Sequence, residues 1–269
     1  AMGIDLYTEA TVELTKGVKK VVVNIEEAPG EDLELARAAL QSVLGDYGVT
    51  GYGAKITTSS NIPIARGLKS SSAAANAIVL AALSAIGKQP SDHEIVIMSV
   101  EAALKAGVTI TGAFDDACAC YYGGFNVTRN YTREALRRER AKEDLVVLIH
   151  VPSRKIYSGN IDKAKLSSIV PIVRESHEIA LRGEYWKAMT MNGFTYADAL
   201  GLNPNIAMEA IVSGAISAGL SGKGPAVAAV CTREKEADVA KALRKFKGEM
   251  IRTHPNNKGA EVLSIDGQG

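Results

Sequence analysis

The tightest constraint on the fold lies in residues 61–87, NIPIARGLKSSSAAANAIVLAALSAIG, where a loop containing Pro63 and Gly67 runs into three serines and then an alanine-rich apolar stretch. That stretch is interrupted by Asn76 and Ser84 and is too short to span a bilayer, so it predicts a buried helix of a water-exposed protein. Serine favours a helix start because its hydroxyl accepts from the free N–H groups of the first turn. One serine is enough for that, so Ser70, Ser71 and Ser72 together point to a helix N-terminus with a second use. Such an end combines unpaired N–H groups with the positive end of the helix dipole and suits a phosphate. Gly67 lets the backbone come close to a ligand, Pro63 stiffens the approach, and a hydroxyl there could also ligate Mg²⁺, a hard cation often shared with phosphates. The pattern G-x-x-x-x-G-K-[ST] is absent, so a phosphate site here is of another design. A helix oversupplied with caps is the plainer alternative.

Two further stretches could carry chemistry. In residues 101–120, EAALKAGVTITGAFDDACAC, Asp115 and Asp116 are adjacent and follow Gly112. Adjacent acids on a tight turn point different ways, so one of them is expected to face a site, where it could orient or deprotonate a substrate hydroxyl. The plainer reading is an acidic first turn of a short helix. Glu101, on the preceding helix, is either a metal ligand or a solvated surface glutamate. In residues 219–230, GLSGKGPAVAAV, Gly219, Gly222 and Gly224 surround Lys223, and Pro225 sets the exit into a strand. This could be a ligand-approaching loop or simply a tight β-connection. His93, His150, His177 and His254 show no metal-ligand spacing, and Cys118 and Cys120 suggest packing. The basic run over residues 129–142 is interleaved with Glu134, Glu139 and Glu143 and suggests a solvated helix face.

Along the chain, strands are expected over residues 4–14, 20–25, 49–59, 124–127, 145–151, 250–253 and 261–265, and one leaving the glycine loop. Helices are expected over 32–44, 70–86, 91–105, 167–181, 184–200, 205–216 and 234–246, with a loop and short helix over 107–124. This is an α+β pattern with a boundary near Leu145, giving lobes of residues 1–144 and 145–269. Lys and Arg number 31 against 30 Asp and Glu, a balance that gives no reason to expect nucleic acid or an anionic membrane as partner. Three cysteines form neither a disulfide framework nor a zinc set, and no secretory leader opens the chain, so a reducing cytoplasm is expected. In that compartment the sequons at Asn126 and Asn130 mean little. The chain opens inside a strand pattern, so a start that is incomplete, or altered at Ala1, is expected.

Taken together and in order, these stretches resemble the GHMP kinase superfamily. Its Pro-x-x-x-Gly-Leu-x-Ser-Ser-Ala loop is matched by Pro63, Gly67, Leu68, Lys69, Ser70 and Ser71, continuing into Ser72 and Ala73, and its C-terminal glycine loop by Gly222, Lys223, Gly224 and Pro225. Within it, TGAFDDACA at residues 111–119 and GIDL at residues 3–6 look like the archaeal-type shikimate kinases. The resemblance implies two lobes, the first with a left-handed βαβ unit and the second ferredoxin-like. It implies ATP-dependent phosphorylation of the shikimate 3-hydroxyl, a step towards chorismate and the aromatic amino acids. Ser70 to Ser72 would cradle the ATP phosphates, Ser71 and Glu101 would hold Mg²⁺, and Gly222 to Gly224 would close over the phosphates. Asp115 would be the catalytic aspartate with Asp116 beside it, and Asp5 would approach the acceptor. Arg66, Arg129 and Arg154 are the candidate partners of the substrate carboxylate. Two departures stand out: Lys69 where many members have glycine, and Ser72 for a usual alanine. Another small-alcohol kinase of the superfamily, for homoserine or mevalonate, and a silent nucleotide-binding relative are the alternatives.

Overall fold

The computed structural model describes residues 1–153 and 163–265. The alternating pattern near the start becomes β1 (Thr8–Lys16), antiparallel to β3 (Tyr52–Ser60), while β2 (Val21–Ile25) lies parallel to β3 on its other side. A parallel pair requires a crossover, and α1 (Glu34–Asp46) supplies it. Strand β1 begins later than its pattern predicts because Met2 and Ile4 bridge to Phe125 and Pro255 instead. On the sheet, α1 packs with α2 (Ser70–Ala85) and α3 (Asp92–Lys105) around a core that includes Leu40, Val43, Ile56, Val79, Leu83 and Val96. Asn76, which interrupts the apolar run of α2, is buried and donates to the Ala117 carbonyl at 3.0 Å, tying α2 to α4 (Phe114–Tyr122).

The charged run after residue 129 is not a helix. It turns at Arg133 (φ 55°) and returns as β5 (Glu134–Glu139), antiparallel to β4 (Phe125–Arg129). Helical spacing is overridden because the arginines find partners in and beside the ribbon: Arg129 meets Glu134 across it at 2.9 Å, and the Arg138 guanidinium lies 3.6 Å from the ring centre of Tyr122 at the end of α4. Long basic stems can cover apolar surface with their charge still in water, so a strand built of them is stable.

The apolar run ahead of Pro152 becomes β6 (Val146–Val151), buried along its whole length at the centre of a second sheet. The single helix expected over 167–181 is two, α5 (Lys163–Ser168) and α6 (Val170–Leu181), since a proline in the first turn starts the second. Next come α7 (Tyr185–Ala199), α8 (Asn205–Val212), β7 (Ser217–Leu220), β8 (Val227–Cys231), α9 (Glu236–Leu243) and β9 (Glu249–Thr253). The strand order β7-β8-β6-β9, antiparallel throughout, is the ferredoxin-like βαββαβ arrangement. Residues 261–265, expected as a final strand, form none; they run as exposed chain beside the cleft described below. One face of the sheet packs on α8 and α9 through Val146, Leu148, Ala210, Val239 and Leu243. On the other, Val147, Ile149 and Val230 meet Ile62 and Leu68, so the loop ahead of α2 is seated on the second sheet. Among the described residues no helix is long and apolar enough to cross a membrane.

Helix α7 crosses β7 where two glycines face each other. A Cβ on Gly193 would come within 2.5 Å of the Gly219 Cα, and one on Gly219 within 2.9 Å of the Gly193 Cα. Gly193→Ala is therefore expected to destabilise the protein by about 1–3 kcal/mol, read as a lower urea midpoint. An unchanged midpoint would show that the helix can shift off the strand without cost.

Candidate active site

A cleft of about 2650 Å³ between the two sheets gathers Gly67 to Ala73, Asp115 and Asp116, and Gly222 to Gly224 along its walls. The serines do not cap α2 as their composition suggests. Lys69 occupies the N-cap position with left-handed backbone (φ 66°, ψ 27°), no side chain caps the helix, and Ser70, Ser71 and Ser72 are its first helical residues. Their hydroxyls and the first-turn N–H groups are thus left to the cleft rather than spent on a cap. A left-handed residue costs an L side chain about 1–2 kcal/mol. Lys69 therefore needs a compensating interaction.

That interaction is with α4. Lys69 Nζ lies 2.6 Å from Asp116 Oδ1, with both side chains largely enclosed. It also packs against the opposite loop, where a Cβ on Gly222 would come 2.5 Å from the same Nζ. Gly67 (φ 85°) has no more room: a Cβ there would run into the Ser221 carbonyl oxygen and lie 2.8 Å from that of Gly224. The loops are joined by Ser221 Oγ donating to the Gly67 carbonyl at 2.9 Å and by the Ala226 N–H donating to that of Arg66 at 3.0 Å.

Asp115 and Asp116 lie in the first turn of α4, after Ala113 in a left-handed turn (φ 49°). Asp115 is held by Asn130, whose Nδ2 donates to its Oδ1 at 2.6 Å and whose Oδ1 accepts its backbone N–H at 3.1 Å. Burial raises the Asp115 carboxyl, but Lys69, the amino group of Ala1 and the Asn130 hydrogen bond together outweigh it and hold the group below the ordinary carboxylate range. Asp116 is pushed the other way, by burial and by the charge of Asp115. Lys69 is held above the ordinary ammonium range: burial opposes its charge, and Asp116 and Asp115 more than offset that. The Lys223 ammonium is lowered by burial and by Lys69. Two acids of opposite tendency beside cations and an open helix end can hold an anion and accept a proton next to it.

Other sequence candidates are not brought here. Glu101 lies outside the cleft and pairs with Arg133 at 2.9 Å, because α3 turns that face towards the β4–β5 turn. Arg66 donates to the Pro152 carbonyl at 2.8 Å and holds the loop, while Arg129 pairs with Glu134; neither lines the cleft. Pro63 shapes the loop from outside the cleft wall. Asp5 accepts from the Tyr7 hydroxyl and is tied through its backbone to His254 and Thr253, which fixes the chain start rather than a ligand. Arg154 lies outside the described residues. Sequence reasoning missed Asn130, whose local signal was only a sequon, and Thr128, which donates to the Asn130 Oδ1 at 2.7 Å.

The family of GHMP kinases N terminal domains matches residues 34–124. The chain is 41% identical over 269 residues to a shikimate kinase of Methanosarcina mazei, covering 99% of this chain and 91% of that one. It is 43% identical over 271 residues to a shikimate kinase of Methanosarcina acetivorans, covering 100% and 90%. Among solved structures, homoserine kinase from Cytophaga hutchinsonii superposes with a TM-score of 0.70 at 18% identity, over 92% of this chain and 86% of that one. Mevalonate kinase from Methanococcus jannaschii gives 0.69 at 19%, over 95% and 90%. At such identities these two establish the fold alone.

The Lys69 pairing sets a stability window. The raised Lys69 contributes stability below its unfolded pKa of about 10.4, lost as pH rises through the folded value; the depressed Asp115 contributes stability above about 3.9, lost as pH falls through its folded value. Lys69→Met is expected to cost about 1–3 kcal/mol at pH 7, measured by urea denaturation, and less at pH 4, where its direct partner Asp116, whose carboxyl is pushed up, protonates. A cost that does not shrink in acid would mean that Lys69 acts by packing.

Proposed function

The chain belongs to the GHMP kinases, alongside the archaeal shikimate kinases, and from that membership and the cleft we infer that it transfers the γ-phosphoryl group of ATP to the 3-hydroxyl of shikimate. What carries the reading is that the likeness to shikimate kinases runs through nearly the whole of both chains. The first sheet with its helices, residues 1–144, would be the lobe that grips ATP, and residues 145–269 the lobe that closes the cleft. Small molecules are its partners, and a cytoplasmic site suits its three free cysteines.

Phosphoryl transfer asks a protein mainly for positioning and charge neutralisation. The first-turn N–H groups and hydroxyls of Ser70, Ser71 and Ser72 would bind phosphate oxygens, with Lys69 and Lys223 supplying positive charge from either loop. Gly67, Gly222 and Gly224 would let backbone reach the same phosphates. Asp115, with Oδ1 already taken by Asn130, would turn Oδ2 to the acceptor hydroxyl and take its proton as the oxygen attacks.

The donor set also fits Mg²⁺. Among the described residues no three of His, Cys, Asp and Glu are grouped as a metal cage, and Mg²⁺ commonly uses one or two carboxylates and substrate phosphates. A hydroxyl of the serine run, Ser71 first, and Asp116 would hold it, with Asp116 in the role that the sequence suggested for Glu101. When bound, the ion would neutralise phosphate charge.

With ATP and Mg²⁺, shikimate is expected to stimulate ADP release while homoserine and mevalonate do not. Stimulation by one of those alcohols alone would move the chain to another substrate with the fold intact. Asp115→Asn is expected to lower kcat by about 10²- to 10⁴-fold; a wild-type kcat would remove Asp115 from the chemistry.

A further inference from the structure

Helix α4 starts without a side-chain cap of its own, since Ala113 occupies the N-cap. The Asp115 N–H is instead bound from outside the helix, by Asn130 in the turn after β4. That N–H can only donate, so the Asn130 atom 3.1 Å away must be the amide oxygen. The Thr128 hydroxyl, 2.7 Å from that oxygen, then donates to it as well. With its oxygen claimed by two donors the amide cannot flip, and its NH₂ is left facing Asp115 Oδ1 at 2.6 Å. The register of β4 against β5 slips between Val127 and Thr128, and such a bulge re-aims the side chains that follow it. Thr128 is buried, and its carbonyl meets His177 Nε2 of α6 at 3.1 Å, which anchors the arrangement to the second lobe.

Resting on the reading of Asp115 given above, we propose that Asn130, locked in one orientation by Thr128, is a positioning residue for that aspartate. It holds Oδ1 so that Oδ2 alone meets the acceptor hydroxyl. A cap alone would need only the oxygen of residue 130; the donor on its other side is what serves the carboxylate.

The test is kcat and the KM values for ATP and shikimate in Asn130→Ala, Asn130→Asp and Asp115→Asn, with urea midpoints measured alongside. Asn130→Ala is expected to lower kcat about 10- to 100-fold, with the KM for ATP little changed. Asn130→Asp keeps an acceptor for the Asp115 N–H but removes the donor to its carboxylate, so kcat falls although the helix start stays held. Thr128→Val, which frees the amide to turn, should lower kcat by less, and Thr128→Ser should restore it; this pair carries the test if Asn130→Ala does not fold. With Asp115→Asn inactive, a wild-type kcat in Asn130→Ala would overturn this inference and leave the role of Asp115 standing. A wild-type kcat in Asn130→Asp would also overturn it, reducing Asn130 to a helix brace. A fully active Asp115→Asn would instead overturn the reading beneath it, and the proposal with it.

Discussion

Backbone meets backbone between the two lobes with no space for side chains, and the rest of the site follows from that. Gly67 faces the carbonyls of Ser221 and Gly224, and Gly222 faces the Lys69 ammonium. Because nothing larger than hydrogen fits at Gly67 against that backbone, the open end of α2 and the glycine loop are held as opposite walls of one cleft. Hydrogen bonds between the same segments fix their separation, and Ile62 and Leu68 root the first loop in the apolar face of the second sheet. A phosphate entering the cleft would find donors from both walls already placed.

Charge balance is the second constraint. Two aspartates begin α4 in a largely enclosed space, and burying them together would drive both towards protonation without a counter-charge. Lys69 is that counter-charge, held by a left-handed N-cap that an L residue occupies at some cost, and its contact with Asp116 offsets the strain. The outcome is asymmetric: Asp115, with a hydrogen-bond donor of its own, stays ionised most readily, while Asp116 is the one pushed up. Different tendencies in neighbouring acids are what let one accept a proton and the other serve the cation or the phosphates.

Much of the fold was legible from periodicity. The serine helix, the buried strand before Pro152 and the α+β class stand where apolar spacing puts them, while the βαββαβ half follows the ferredoxin-like order that the family resemblance implied. The errors share a physical cause, which is that tertiary partners override local pattern. The run around Arg129 to Glu139 is a ribbon because its arginines lie on aromatic rings and pair across strands. Residues 261–265 alternate like a strand but find no edge to join.

The sequence by itself determined the parts: a serine-rich helix start after a glycine, a pair of acids and a second glycine loop, each with a plainer use open to it alone, because residue type and spacing fix what a local segment can do and not what it meets. Only the tertiary structure decided which of them meet. Ser70 to Ser72, Lys69, Asp115 and Asp116 share a cleft, while Glu101, Arg66 and Arg129 are satisfied elsewhere by Arg133, a carbonyl and Glu134. A charged side chain's role is set by which partner lies within about 3 Å of it, and contacts between segments dozens of residues apart cannot be read from local spacing. Asn130 is the clearest case: nothing around it in the chain marks it, and its meaning comes from a bulge in β4 and from the helix that carries Asp115.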